Sequence, residues 1–247
     1  MQEISLLIVP PDLQREHLTI TGRKYHHLVH VRRVRVGTPL RAVLPDGRTL
    51  HAVVEAITPD ELRARITGED LVQSAPRCRI ALYQAVLKGE KMELVVQKAG
   101  ELGAARLAPV LASRSIPRWT EAQAADKAQR WQRIADAAAE QCERCLPLQV
   151  DVPCSLPATL REPAGLRLLL HERHGGALAA LPAQYPYPPE IALYIGPEGG
   201  WDDAEADAII AAGGHPLHLG PRILRAETAS LVALTLAQYL WGDLGEC

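Results

Sequence analysis

Short, mostly apolar runs that alternate with helical patterns constrain the fold of this chain more than any other feature. From Arg79 onward, runs of strand length are seen at Ile80–Val86, Arg106–Val110, Leu166–Leu170, Ile191–Ile195 and His215–Leu219. Strands that are apolar along nearly their whole length belong in a parallel sheet that helices cover on both faces. The alternation therefore predicts an α/β fold with a parallel sheet.

Four segments between and after these runs carry the helical pattern. The first has Met92, Val95 and Ala99 on one face and ends at Gly103, as helices commonly do. The others are Thr120–Cys145, a helix that Asp202 and Glu205 open with a capping box, and the apolar stretch Leu231–Leu240.

Residues 1–72 have a different pattern, of short strands and turns. Leu40–Leu44 and His51–Ile57 flank Pro45-Asp46-Gly47, which predicts a hairpin. Leu62–Ile66 alternates apolar and charged residues, as a half-exposed strand does. We therefore expect a small, mostly β domain over residues 1–72, a linker at Gln73–Pro76 and a second domain over residues 73–247.

A basic window lies in the first domain, although the net charge of the chain is −2. Between Glu16 and Asp46 there is no acidic residue, and the candidate phosphate-binding side chains are Arg23, Lys24, Arg32, Arg33 and Arg35. Focused phosphate binding requires such a patch, because each cation displaces condensed counterions. A solvated face of a small β domain is the alternative interpretation.

The sequence lacks the usual signals of membrane proteins, secreted proteins and metal-binding proteins. No apolar run approaches the roughly 20 residues of a membrane span, and no basic segment marks a secretory signal, so we expect a cytoplasmic protein. The five cysteines are scattered, which argues against a disulfide framework. Cys142 and Cys145 have C-x-x-C spacing without a second pair, so we expect buried or half-buried thiols and no metal site.

Two glycine-bearing loops are the candidate site. Ile195–Trp201 and Leu219–Ala229 each follow a predicted strand and precede a predicted helix. Small ligands bind at the carboxyl ends of parallel strands, so the loops predict one composite pocket. The dinucleotide fingerprint, the phosphate-binding loop, the serine elbow and the zinc-protease motif are all missing from the sequence. A pocket lined by backbone groups, suited to a nucleoside, is what the loops predict.

The two loops resemble the signature loops of the bacterial ribosomal RNA small-subunit methyltransferase E family. Other segments resemble this family too: His27–Arg33, Gln97–Gly103, Arg114-Ser115, and Glu140–Arg144 with Pro147. The resemblance spans the whole chain. Gly100 and Ala226 stand where Thr is expected, Cys142 replaces Ser, and Trp201 replaces Phe.

The resemblance implies a SPOUT-type parallel sheet with a C-terminal trefoil knot, preceded by a small PUA-like β-barrel domain that binds RNA. General topology rules predict the opposite of a knot. The resemblance also implies a homodimer that binds S-adenosylmethionine. The implied cofactor-binding residues are Gly196, Glu198, Gly199, Leu219, Gly220, Ile223, Leu224 and Thr228. For Leu219, Ile223 and Leu224, ordinary core packing is the alternative.

The implied reaction is methylation of N3 of a uridine in 16S rRNA, in the small ribosomal subunit. N3 carries a proton that must pass to a base or to solvent. Arg225 is the first catalytic candidate, because a guanidinium can hold a phosphate or stabilise charge on the uracil oxygens. Glu198 is either the base or a group that bonds the amides of its own loop.

Three other functions stay open at this point. The chain could be a catalytically silent RNA-binding factor for ribosome assembly, or a SPOUT methyltransferase that acts on tRNA. Phosphate contacts carry no sequence information, so the basic window does not distinguish tRNA from rRNA. An enzyme acting on a small molecule would leave the basic window unexplained.

Overall fold

The computed structural model describes residues 4–7, 13–14, 16–44, 48–70, 77–115, 119–142, 144, 146–172 and 174–245. The chain forms two compact units. The first comprises Met1–Ala75 with Ala139–Leu146, and the second comprises Pro76–Ala138 with Pro147–Cys247. The predicted linker at 73–76 lies outside the described residues, and the predicted boundary at residue 72 stays a prediction.

A six-stranded sheet forms the first unit, in the order β1-β4-β5-β6-β3-β2. Its strands are β1 (Ile4–Leu7), β2 (Leu13–Gln14), β3 (His17–Thr21), β4 (Pro39–Val43), β5 (Thr49–Ile57) and β6 (Glu61–Asp70). Strands β4 and β5 pair antiparallel, which confirms the two arms of the predicted hairpin. Its turn, residues 45–47, lies outside the described residues. Alternate residues such as Leu18, Ile20 and Leu62 are fully buried and form the core of the unit.

The middle of the basic window is helical, where short strands and turns were predicted. Helix α1 (Gly22–His26) continues into a π-helical turn, His27–Val31. Tyr25 and Leu28 are buried beneath it, and the Tyr25 hydroxyl donates to the carbonyl of Thr58 at 2.6 Å. Arg33 follows with a φ of 55°, in the left-handed region that non-glycine residues rarely adopt. Two buried apolar residues, Tyr25 and Leu28, are too few to give a recognisable helical pattern in the sequence, so this helix was not predicted.

An eight-stranded sheet forms the second unit, in the order β10-β8-β7-β13-β11-β14-β12, with β9 beside β8. Its strands are β7 (Arg79–Ala85), β8 (Arg106–Leu111), β9 (Gln149–Val150), β10 (Cys154–Ser155), β11 (Leu166–Leu170), β12 (Gly176–Ala177), β13 (Glu190–Ile195) and β14 (Gly214–His218). Every strand pair described in this sheet is parallel, which confirms the predicted sheet type.

The helices of the second unit are α2 (Glu90–Glu101), α3 (Glu121–Gln141), α4 (Leu156–Leu160), α5 (Asp203–Ala211) and α6 (Ala226–Trp241). The capping box of α5 is confirmed, with the Asp202 carboxylate accepting from the Ala204 N–H and Glu205 accepting from the Asp202 N–H. Helix α3 ends at Gln141, before the predicted Cys145. Helix α6 begins at Ala226, so the second glycine loop is shorter than predicted.

Gly100 explains how closely α2 approaches α3. A Cβ atom built on Gly100 would lie 3.4 Å from Cβ of Ala138 and 3.8 Å from the carbonyl oxygen of Ala135. The Thr expected here from the family pattern would bring further atoms into this contact. Gly100 therefore belongs to the packing of the two helices.

Candidate active site

A cavity of about 600 Å³ lies at the carboxyl ends of β11, β13 and β14, within the second unit. Both glycine loops line it, so they form the one composite pocket that the sequence predicts. Its lining includes Gly196, Glu198, Leu219, Gly220, Ile223, Leu224 and Arg225 from the predicted site residues. Gly199 and Thr228 are outside the lining. A cavity of this size holds a small organic ligand.

The first loop depends on two of its glycines. A Cβ atom on Gly196 would lie 3.1 Å from the backbone nitrogen of Trp201, because the loop folds back tightly on itself. Gly200 has a φ of 70°, a left-handed conformation that glycine adopts without strain. Gly196 lines the cavity, and a side chain at this position would collide with the loop at Gly200 and Trp201.

Arg114, three residues after the end of β8, holds this loop in place and also lines the cavity. Its guanidinium donates hydrogen bonds of 3.0 Å to the carbonyl oxygens of Gly199 and Trp201, and it lies 3.5 Å from the Asp202 carboxylate. Gly199, which was predicted to contact the cofactor, therefore uses its carbonyl to hold the loop. Within the Arg114-Ser115 segment of the family pattern, Arg114 thus stabilises the conformation of the first loop.

The Glu198 carboxylate is hydrogen-bonded to residues at the start of α2. Its Oε1 accepts a hydrogen bond from the Lys88 N–H at 3.3 Å and another from Lys91 Nζ at 3.3 Å. Partial burial by itself raises the pKa of the Glu198 carboxyl, but hydrogen bonds from its own N–H, from Lys88 and from Lys91 outweigh it, and the pKa lies below its ordinary value. Glu198 is therefore a carboxylate at neutral pH and a weak base.

The second loop presents its side chains in different ways. Leu219 is half-buried and packs against the core, which agrees in part with the alternative of ordinary core packing. Ile223 is 62% exposed, so core packing is the wrong interpretation for it. Arg225 has extended backbone, is the N-cap residue of α6, and exposes its side chain at the cavity. The described part of the chain provides no ion pair or side-chain hydrogen bond for Arg225.

Sequence analysis missed the segment after β11. His171, Glu172 and His174 line the cavity, and the His171 and His174 rings lie 5.0 Å apart. The His174 N–H donates to Nδ1 of His171 at 3.2 Å. The signal was present, because these polar residues follow an apolar strand at the ligand-binding end of a parallel sheet.

The basic window lies in the first unit. Arg32, Arg33 and Arg35 are exposed and Lys24 is half-buried, while the side chain of Arg23 lies outside the described residues. The predicted RNA-binding side chains that can be examined therefore point largely to solvent. Their contact with RNA stays a prediction.

The cysteines differ from expectation at one position. Cys142 is exposed, because α3 has ended there, so the prediction of a buried or half-buried thiol is wrong; Cys145 lies outside the described residues. Cys78 is buried, and burial raises the pKa of its thiol to about 11.

In the described ranges, no group of three His, Cys, Asp or Glu side chains is placed to hold a metal ion. No helix in those ranges is long and apolar enough to span a membrane.

Comparison with known proteins decides the family. Residues 73–238 match the family described as RNA methyltransferase domain, and residues 20–67 match the RNA methyltransferase PUA domain. The ribosomal RNA small subunit methyltransferase E of Buchnera aphidicola (from Acyrthosiphon pisum) is 31% identical over 98% of this chain and 96% of that protein. The chain belongs to this methyltransferase family. The relative of the same name from Bacillus subtilis is 29% identical over 90% of this chain and 89% of its own.

Solved structures of similar methyltransferases share the whole fold. A methyltransferase of Legionella pneumophila with bound S-adenosylmethionine has a TM-score of 0.89 and 33% identity, over 99% of this chain and 100% of that one. The small subunit methyltransferase E of Neisseria gonorrhoeae, also bound to S-adenosylmethionine, has a TM-score of 0.88 and 28% identity, over 98% and 99% of the chains. The predicted methyltransferase class, the parallel α/β fold and the N-terminal PUA domain are confirmed. The trefoil knot stays a prediction.

Proposed function

We propose that this methyltransferase uses S-adenosylmethionine to methylate N3 of a uridine in 16S rRNA of the small ribosomal subunit. The observation that carries the proposal is that both signature loops line one cavity, in a chain of the small subunit methyltransferase E family. Relatives of this family act on ribosomal RNA by name, and two similar structures hold this cofactor.

The cavity fits the cofactor in size and chemistry. Leu170, Ile195 and Leu217 supply apolar wall, and the glycine backbone lets main-chain groups approach a nucleoside closely. Trp201, which also lines the cavity, is buried.

We assign Arg225 to the reacting uridine. When bound, S-adenosylmethionine supplies an electrophilic methyl group on a sulfonium. The exposure of Arg225 at the cavity supports a role in holding the phosphate of the target nucleotide or in stabilising negative charge on the uracil oxygens as N3 loses its proton. Holding N3 in line with the methyl group supplies much of the rate increase.

We assign Glu198 to loop positioning and not to proton removal. Its carboxylate already accepts from Lys88 and Lys91, and its pKa lies below the ordinary value, so it is a poor acceptor for the N3 proton. Of the two roles that the sequence left open, this geometry favours the bonding of loop amides.

The exposed arginines of the first unit are proposed to contact RNA phosphates. Arg32, Arg33 and Arg35 give the PUA domain a local positive charge on a chain whose net charge is −2. Such contacts position an RNA but do not identify it, so the target uridine is selected elsewhere. We further propose a cytoplasmic homodimer that needs no metal, as the family likeness implies.

Transfer of a radioactive methyl group tests the proposal. The protein is incubated with tritiated S-adenosylmethionine and either naked 16S rRNA, assembled small subunits or tRNA, and the labelled nucleoside is then mapped. We expect N3-methyluridine in 16S rRNA or the small subunit. Label confined to tRNA would overturn the rRNA assignment. No binding of S-adenosylmethionine in calorimetry, together with no transfer to any of the three RNAs, would identify a silent RNA-binding factor.

A further inference from the structure

Three histidines of the first unit lie together on the solvent side of α1 and the π-helical turn that follows it. His26, His27 and His30 are all exposed, whereas Tyr25 and Leu28 on the other side are buried. The rings of His26 and His30 lie 4.7 Å apart, with 45° between their planes. We call these three histidines the imidazole face.

A buried tyrosine supports one ring of the imidazole face. The Tyr25 ring meets the His30 ring nearly edge-on, with 6.1 Å between the ring centres and 84° between the planes. This is a favourable geometry for two aromatic rings. Because the Tyr25 hydroxyl is itself bonded to the carbonyl of Thr58, the support under His30 has a fixed position.

Pairing within the chain does not account for the imidazole face. In the described ranges, no side-chain hydrogen bond or ion pair involves any of its three rings, and their contacts are the ring contacts with one another and with Tyr25. The sequence has no acidic residue between Glu16 and Asp46 that could pair with them locally. The rings are therefore available to a partner from outside the chain.

The surroundings of the imidazole face combine positive charge with exposed apolar surface. Arg32, Arg33 and Arg35 follow it directly and are exposed. Val31 is 59% exposed and Val36 is 63% exposed. Contacts with phosphates need the cations alone and do not explain why rings and apolar side chains stand beside them. Proteins that bind single-stranded nucleic acid combine cations for the backbone with aromatic rings on which unpaired bases stack.

We propose that the imidazole face binds unpaired RNA bases, which stack on the rings of His26 and His30 while the neighbouring arginines hold the phosphates. The inference deepens the proposed RNA contact of the first unit and rests on it. It specifies the class of RNA as a single strand, because bases within a duplex are covered by their neighbours. It also adds two residues that contact bases to the arginines that contact phosphates.

Fluorescence anisotropy with three labelled RNAs tests the proposal on the full chain. The probes are a single strand of about 12 nucleotides, the same strand with abasic sites at its centre, and the duplex of the strand with its complement. All three are measured at one salt concentration and at pH 8, above the ordinary titration range of imidazole, so that removing a ring does not remove a charge. We expect the intact single strand to bind about tenfold more tightly than the other two probes.

Variants of the imidazole face separate stacking from other contacts. His26→Ala and His30→Ala should each raise the Kd for the intact single strand by about tenfold and change the Kd for the abasic strand little. His30→Tyr keeps a ring and should bind like the wild type, whereas His30→Gln keeps polar atoms without a ring and should bind like His30→Ala. His51→Ala is the matched control, because His51 lies on β5 and pairs with Asp70 at 2.7 Å.

Two results would overturn the inference and leave the phosphate contacts intact. One is a wild type that binds the intact and the abasic strands equally well, a measurement that needs no variant. The other is a His30→Tyr variant that binds the single strand as weakly as His30→Ala. A wild type that binds none of the three probes would overturn the proposed RNA contact of the first unit as well, while the methyl-transfer assay tests the catalytic proposal separately.

Discussion

The ammonium group of Lys91 lies 3.3 Å from Oε1 of Glu198, and 3.6 Å from Oε2 of Glu227. Glu227 belongs to the first turn of α6 and exposes 13% of its side chain. One cation on α2 therefore connects the first signature loop to the helix that follows the second. Because a buried carboxylate without a partner is costly, Lys91 stabilises the relative position of the two walls of the cavity.

Replacing Lys91 should weaken the contact between the first loop and α6 on the two sides of the cavity. In Lys91→Met both carboxylates lose their cation, and we expect S-adenosylmethionine to bind about tenfold more weakly, with a lower melting temperature. Lys91→Arg should recover most of the affinity, since it keeps the charge. Lys98→Met is the matched control, because Lys98 pairs with Glu101 within α2 and not with the cavity. Equal losses in Lys91→Met and Lys98→Met would show that the cluster does not hold the site.

Arg225 should matter for the transfer step and little for cofactor binding. We expect Arg225→Ala to lower the rate of methyl transfer by about 10²-fold, the usual effect of losing a group that stabilises developing charge. The Kd for S-adenosylmethionine should stay near the wild-type value in calorimetry. Arg222→Ala, an exposed cavity residue of the same loop, is the control and should retain most activity. Full activity in Arg225→Ala would remove Arg225 from the mechanism.

The parts of the fold that follow from local pattern were predictable from the sequence. The apolar run at Ile191–Ile195 is buried along its length, as a central parallel strand requires. The Asp202 and Glu205 pair forms the expected capping box because its geometry is set within one helical turn. The two glycine loops meet in one cavity because strand ends in a parallel sheet share an edge.

The remaining parts depend on contacts between distant positions. Lys91 and Glu198 are separated by 107 positions, and nothing in either segment alone identifies the other as its partner. The same holds for Arg114 and the carbonyl of Gly199. The early start of α6 at Ala226 is also tertiary in origin, since the turn that contains Ser230 is fixed by a bond to the sheet.

The buried pair Ser230 and Gln84 provides a stability test. The Ser230 hydroxyl donates to Oε1 of Gln84, and both residues are 0% exposed. Ser230→Ala leaves a buried amide oxygen without that partner, and we expect a loss of about 1–3 kcal/mol in the free energy of unfolding measured by urea denaturation. The double variant Gln84→Met with Ser230→Ala should lose less than the sum of the two single changes, because the amide oxygen that Ser230→Ala leaves unpaired is then absent. A double variant that loses the sum of both single changes would contradict this coupling.

Glu162 should make the protein acid-sensitive. The hydrogen bond from Arg106 is the largest effect on the Glu162 carboxyl and, with one from Tyr83, holds its pKa below the ordinary value of 4.5. A carboxyl whose folded pKa is lowered contributes stability above its unfolded pKa and loses it as pH falls through the folded pKa. The melting temperature of wild type should therefore exceed that of Glu162→Gln at pH 7, with the difference shrinking below about pH 4.5. Asp207→Asn, at an exposed position of α5, is the control and should follow the wild type. A difference between wild type and Glu162→Gln that is the same at pH 7 and pH 3 would show that the charge of Glu162 does not stabilise the fold.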